Sequence, residues 1–171
     1  MKASAFLVVA TLLLSAVPTA QPADPQRALL EKMTGHWVLR GTIAKEQTTH
    51  DVDAVWVLDK EYVQIHEVSR EKDAAGKPKY EAIVHVVWDP KVGEYACLWL
   101  DTTGVATFPE AGVGHAKPTG DAIRFRFTDP AGGGINTTFA YDRGKDAWSW
   151  SIDNDEKGKI TPFARVTLTR R

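Results

Sequence analysis

HDVDAVWVLDKEYVQIHEVS, residues 50–69, consists of two runs of alternating apolar and polar side chains folded about one polar corner, Asp59 and Lys60. Alternation with period two is the pattern of a strand that buries one face. Two such runs about a tight corner read as an antiparallel hairpin. A two-residue corner pairs Val57 with Tyr62, Val55 with Gln64 and Asp53 with His66, each pair on one face. Asp53 and His66 then lie with Cβ atoms about 4.5–5.5 Å apart. A carboxylate accepting from an imidazole is how a histidine is oriented for acid–base work or ligand binding. A three-residue corner would instead set Asp53 opposite Glu67.

The same period extends in both directions. Upstream, Trp37, Leu39, Gly41 and Ile43 alternate with His36, Val38, Arg40 and Thr42. Downstream, strand patterns cover 79–88, 94–101, 105–108, 112–116, 122–128, 135–141, 147–152 and 161–169. Breakers stand between them: Gly76 with Pro78, Pro90 with Gly93, Pro118 with Gly120, Pro130 with Gly132, and the polar runs 142–145 and 154–159. About ten strands at intervals of roughly 8–12 residues read as an all-β sandwich or barrel. Nearly every connection is short, so neighbours pair in sequence order. A meander of this length gains most by closing, because closure removes exposed edges. The expected fold is an up-and-down antiparallel β-barrel with one short N-terminal helix, and a barrel of this size leaves room inside for one small ligand.

The helix is read from Asp24 and Pro25, an N-cap followed by a favoured first helical residue, with Ala28, Leu29, Leu30 and Met33 as its apolar face and Gly35 at its end. Ahead of it, Lys2 precedes the apolar run FLVVATLLLSAV, residues 6–17. A basic start, about twelve apolar residues and then small residues are the parts of a signal peptide, and the run is too short to span a bilayer. Residues 1–20 are therefore expected to be a signal peptide cut after Ala20, with cleavage nearer Ala16 or Ala23 as the alternatives. Residues 21–34 form an extension carrying the helix, and 35–171 form the barrel domain. The expected location is the periplasm or the exterior of a bacterial cell, with no membrane span in the mature chain.

Charges are balanced, 21 Lys and Arg against 22 Asp and Glu. That leaves no basic footprint for nucleic acid. A single cysteine, Cys97, makes an internal disulfide impossible, and its apolar surroundings in sequence read as a buried, inert thiol.

Gly35, His36 and Trp37 open the first strand directly after the helix. This triplet resembles the opening of the lipocalin and fatty-acid-binding superfamily, where the first strand begins Gly, any residue, Trp, and an Arg of the last strand packs over that Trp. The resemblance implies that Gly35, Trp37 and Arg165 close one end of the barrel, Arg165 being the matching residue in Phe163, Ala164, Arg165, Val166. The chain also looks like an uncharacterised family of bacterial lipocalin-like proteins through Tyr62, Val63 and Gln64, through Trp88 and Asp89, and through YACLWLDTTG, residues 95–104. The nitrobindin-like haem barrels are similar in their opening too, and in them a His on a late strand ligates the iron. The last His here is His115, with none in the three final strands, so no haem and no other cofactor is expected.

The expected ligand contacts are Asp53, Gln64 and His66, facing a small apolar or amphipathic ligand inside the barrel. No catalytic residue is assigned, although an Asp53–His66 pair acting on a bound substrate is one rival reading. A surface module built on the 70–78 loop is another. His85 could join His66 and Asp53 as a metal facet, but the spacing carries no local signature, and no metal is expected. His36 and His50 are read as exposed. Core filling is the reading for most of the six tryptophans. Arg124 and Arg126 are expected to face solvent, opposite Phe125 and Phe127. Oligomeric state is left open by the sequence.

Overall fold

The computed structural model describes residues 24–103 and 112–171; the expected signal peptide and the strand expected at 105–108 lie outside the described residues. One helix, α1 (Pro25–Met33), precedes β1 (Gly35–Ile43), β2 (Glu46–Val57), β3 (Tyr62–Ser69), β4 (Glu81–Asp89), β5 (Glu94–Asp101), β6 (Val113–Ala116), β7 (Pro118–Thr119), β8 (Ala122–Thr128), β9 (Gly134–Asp142), β10 (Ala147–Glu156) and β11 (Lys159–Arg170). Strands from β1 to β6 pair in sequence order, as do those from β8 to β11, all antiparallel; β1 also pairs with β11. His115 of β6 opposite Arg126 of β8 completes the ring. Ten strands form a closed barrel, and the two-residue β7 lies beside β8. Among the described residues no helix is long and apolar enough to cross a membrane.

The hairpin at the centre of the sequence pattern forms in the expected register, with Val57 opposite Tyr62 and Asp53 opposite His66. Its corner has φ of 50°, 56° and 60° at Leu58, Asp59 and Lys60, and the Glu61 N–H bonds the Leu58 carbonyl at 3.1 Å; positive φ at the two central residues, Asp59 and Lys60, is what a hairpin turn of matching twist requires. The β1–β2 corner does the same at Ala44 and Lys45, with φ of 49° and 70°. Neither residue advertises such a turn, which is why β2 begins earlier than the pattern indicates.

Burial then follows the parity of each strand. Trp37 and Leu39, Val52 and Ala54, Val63 and Ile65, Ala82, Val84 and Val86, Phe125 and Phe127, and Trp148 and Trp150 form one interior cluster. Arg124 and Arg126 point outward, as expected.

One end of the barrel is plugged by α1, whose Leu29, Leu30 and Met33 are buried. Asp24 caps it, accepting from the Gln26 N–H at 2.8 Å. The last carbonyls of a helix lack intrahelical donors, and here two indoles supply them. Trp37 donates to the Met33 carbonyl at 2.8 Å and Trp148 to that of Lys32 at 3.1 Å. Trp88 donates to Asp24, Trp56 to Glu31 and Tyr95 to Gln26. Four of the six tryptophans thus hold the plug.

The closure expected from Arg165 is made by Arg170. Its guanidinium carbon lies 3.7 Å from the Trp37 ring centroid, because β11 runs on to place Arg170 opposite Trp37 while Arg165 falls opposite Thr42. Arg165 instead bonds Asp153 on the outer wall at 2.5 Å. Gly35 belongs to the same closure. Its φ is 125°, and a Cβ there would sit 2.2 Å from an Arg170 guanidinium nitrogen, so only glycine lets the arginine reach the ring.

Candidate functional site

Asp53 and His66 are register partners, yet both lie on the outer wall. The inward positions beside them belong to Val52, Ala54, Ile65 and Glu67. Asp53 bonds His36 at 2.5 Å and His66 bonds Glu81 at 2.8 Å, all with side chains 40% or more exposed. Gln64 faces the same side, opposite His85. These three expected contacts therefore do not line the interior. His85 is on the outer wall with a buried Nδ1 that has no partner. Among the described residues no three His, Cys, Asp or Glu side chains come close enough to hold a metal.

The interior polar group is a different pair. Glu67 on β3 and His50 on β2 have relative exposures of 1% and 3%, and the carboxylate and His50 Nδ1 are directly bonded. Both stand in the phase of the apolar inward residues. Ala82, opposite Glu67, leaves room for them. Tyr80 stacks on His50 with ring centroids 5.6 Å apart, and its hydroxyl donates to Asp101 at 3.3 Å while accepting the Trp99 indole N–H at 3.1 Å. Burial pushes the Glu67 carboxyl above its ordinary pKa, against the opposing pull of the His50 bond. Tyr80 is raised as well, by burial and by the charges of Glu67 and Asp101.

On its other side His50 continues the chain of bonds. Nε2 lies 2.8 Å from the Thr48 hydroxyl, which donates to Glu71 at 2.8 Å. Glu71 also accepts from the Ser69 hydroxyl at 2.9 Å and from the Thr49 N–H at 3.0 Å. Partial burial opposes ionisation of Glu71, but these bonds and its own N–H outweigh it and bring the carboxyl down to about 2. The tautomer follows from this network. An ionised Glu71 takes the one Thr48 proton, so Thr48 can only accept from His50, and His50 carries a proton on Nε2. A single proton then remains for the His50–Glu67 contact.

Glu71 also sets a pH dependence. A carboxyl lowered from 4.5 to about 2 contributes stability that is complete above pH 4.5 and is lost as the pH falls toward 2. Glu71→Gln is expected to cost about 2 kcal/mol at pH 7, a deficit that shrinks below pH 4.5. Paired denaturant melts across pH 3–7 check it.

Between this pair and the helix lies a cavity of about 20 Å³, lined by Met33, Trp37, Val52, Ala54, Ile65, Glu67, Val84, Trp99, Phe139, Trp148, Trp150 and Leu168. It has room for about one water molecule. The lining indole N–H groups are all committed elsewhere, Trp150 to Thr137 at 2.7 Å and the others as described. Among the described residues Glu67 is the only ionisable side chain on the wall. Cys97 is buried, with its thiol pushed up by burial, and is the inert thiol expected.

No family model matches the chain, and no curated protein matches it. Among solved structures, the crystal structure of Rv2717c from M. tuberculosis superposes with a TM-score of 0.55 at 17% identity, over 86% of this chain and 98% of that one. That likeness, with the closed ten-strand ring, shows a lipocalin-like barrel fold.

Proposed function

We propose that this chain is an exported binding protein that holds a small, partly apolar ligand inside the barrel, with Glu67 as its polar contact. The observation that carries this is the carboxyl of Glu67, 1% exposed, bonded to His50 and, among the described residues, the one ionisable group on a wall otherwise aromatic and aliphatic. A buried acid–base pair adds little to stability, and well-packed apolar residues in its place are often as good or better. A buried carboxyl with a displaced pKa at a cavity wall is instead a mark of a functional site.

At about 20 Å³ the cavity must widen for anything larger than water. Trp99 is the lining tryptophan that is only half-buried, and its indole is held by one bond to Tyr80. Trp99→Ala is expected to lower stability by about 3 kcal/mol and to tighten binding of small amphipathic molecules by about tenfold or more, read by fluorescence titration of the remaining tryptophans. The general test is a thermal-shift panel of small alcohols, ketones and amines. A member that raises the wild-type Tm and leaves Glu67→Leu unmoved supports the proposal; no shift in either protein, or equal shifts in both, counts against it.

Export belongs to the same proposal and rests on residues 1–20. N-terminal sequencing of the protein recovered from its own cells is expected to begin at Gln21. A chain that retains Phe6 would overturn export by cleavage.

A further inference from the structure

Resting on the interior site proposed above, we infer that its ligand is a small organic cation, an amine or methylated ammonium, held between the aromatic walls and the Glu67 carboxylate. Five of the lining residues are aromatic: Trp37, Trp99, Trp148, Trp150 and Phe139. Trp37 is already covered on one side by Arg170, so one cation–aromatic contact is built into this barrel's end. Of the remaining rings, three pack as a connected set, with Trp99 and Trp150 centroids 5.2 Å apart and Phe139 and Trp150 5.0 Å apart. Aromatic faces carry negative potential and attract desolvated cations, and cages of such rings are how ammonium groups are recognised.

Polar satisfaction points to the same ligand. Every lining indole N–H already has an acceptor, so the wall offers a ligand no free indole donor. An anion would find no partner and would meet Glu67. A neutral apolar molecule would give the buried carboxyl no partner beyond His50. A cation satisfies both the carboxylate and the rings.

The site also has a way to adjust its own charge. His50, Tyr80 and Asp101 are the titratable groups facing Glu67, from β2, from the segment before β4 and from β5. The proton shared by Glu67 and His50 would oppose a cation. On the other side of the imidazole, His50 Nε2, Thr48 and Glu71 form a continuous chain of bonds to the half-buried carboxylate just beyond β3. Binding therefore breaks the N–H bond at His50 Nε2 and forms a new O–H bond at Thr48, while the Thr48 proton passes to Glu71 and on to water. The imidazole is left neutral and donating through Nδ1 to an ionised Glu67, and one proton leaves per cation bound.

Isothermal calorimetry tests this with methylammonium and trimethylammonium chlorides against methanol and tert-butyl alcohol as neutral counterparts, at constant ionic strength and in two buffers of different ionisation enthalpy. The expected result is binding of the cations more tightly than the alcohols, release of close to one proton, and a loss of about tenfold or more in Glu67→Gln. The wild-type ratio of cation to alcohol needs no variant, so a poorly folded Glu67→Gln does not spare the inference. Alcohols binding as tightly as the cations would overturn the cation while leaving interior binding in place. No heat from any of the four would overturn the cation and remove support from interior binding together.

Discussion

Trp37→Ala is expected to lower the stability of the barrel by about 4 kcal/mol, the middle of the range for removing a buried aromatic. Trp37 is 1% exposed and joins three parts of the fold. Its ring lines the cavity, its N–H answers the Met33 carbonyl, and its outer face carries Arg170. Arg170 in turn donates to the Thr34 carbonyl at 2.5 Å and to Asp146 at 3.0 Å. Truncation therefore opens a void, leaves a helix carbonyl without its donor and releases the arginine that ties the chain end to the plug. Arg165→Ala is the contrasting variant. Its partner Asp153 lies on the outer wall and its own side chain is half exposed, so the change is expected to cost less than about 1 kcal/mol. Urea melts of the two proteins separate them. Equal losses would place the closure at Arg165 after all.

The second large effect is at the buried pair. His50→Leu is expected to cost about 3 kcal/mol at neutral pH, since it strands a carboxyl in the interior. The loss has a sign in pH. A carboxyl whose folded pKa is raised above 4.5 holds its proton in the folded state while the unfolded chain has lost it, so stability falls as the pH rises from 4.5 through the folded value. Without His50 the one bond that lowers Glu67 is gone, and the fall continues to higher pH and becomes larger. His50→Leu combined with Glu67→Leu is expected to recover most of the loss, because no polar group is then left unpaired. A double variant as unstable as the single one would mean that the pair itself holds the fold together, and the functional reason for keeping it would weaken. Denaturant melts at pH 5 and pH 8 on the wild type, both single variants and the double variant measure the coupling and its dependence on pH.

Much of this architecture is legible in the chain. Period-two alternation gives the strands, Asp59 and Lys60 give the register of the central hairpin, and Asp24 with Pro25 gives the start of the helix. The site is less legible, for a physical reason. A strand pattern shows two faces without saying which is inside, and Asp53, Gln64 and His66 form the more conspicuous polar set. The informative signal is the opposite one, a polar residue in step with apolar neighbours. Glu67 is in phase with Val63 and Ile65, and His50 with Val52 and Ala54, which is where a buried pair has to stand. Tyr80 carries the same signal, in step with Ala82, Val84 and Val86, and it meets His50 across Ser69, whose N–H bonds the Tyr80 carbonyl at 2.9 Å. The closing arginine is not legible in the sequence because its position depends on how far β11 continues, and the pairing of Trp37 with Arg170 is a property of the finished ring. The acidic run after Ile152 is likewise strand rather than turn as far as Glu156, with Asp155 bonded to Arg126 at 2.5 Å.

The interior site is tested most directly by the indole N–H signals in a nitrogen-15 NMR spectrum. The protein has six tryptophans. Those of Trp37, Trp99, Trp148 and Trp150 belong to rings that line the cavity, whereas Trp56 and Trp88 bond the outer part of the helix plug. On titration with a ligand that raises the Tm, the first four signals are expected to move together and saturate at one equivalent, with Trp56 and Trp88 unchanged. Movement confined to Trp56 and Trp88, or a saturating ligand that leaves all four interior signals in place, would contradict binding inside the barrel.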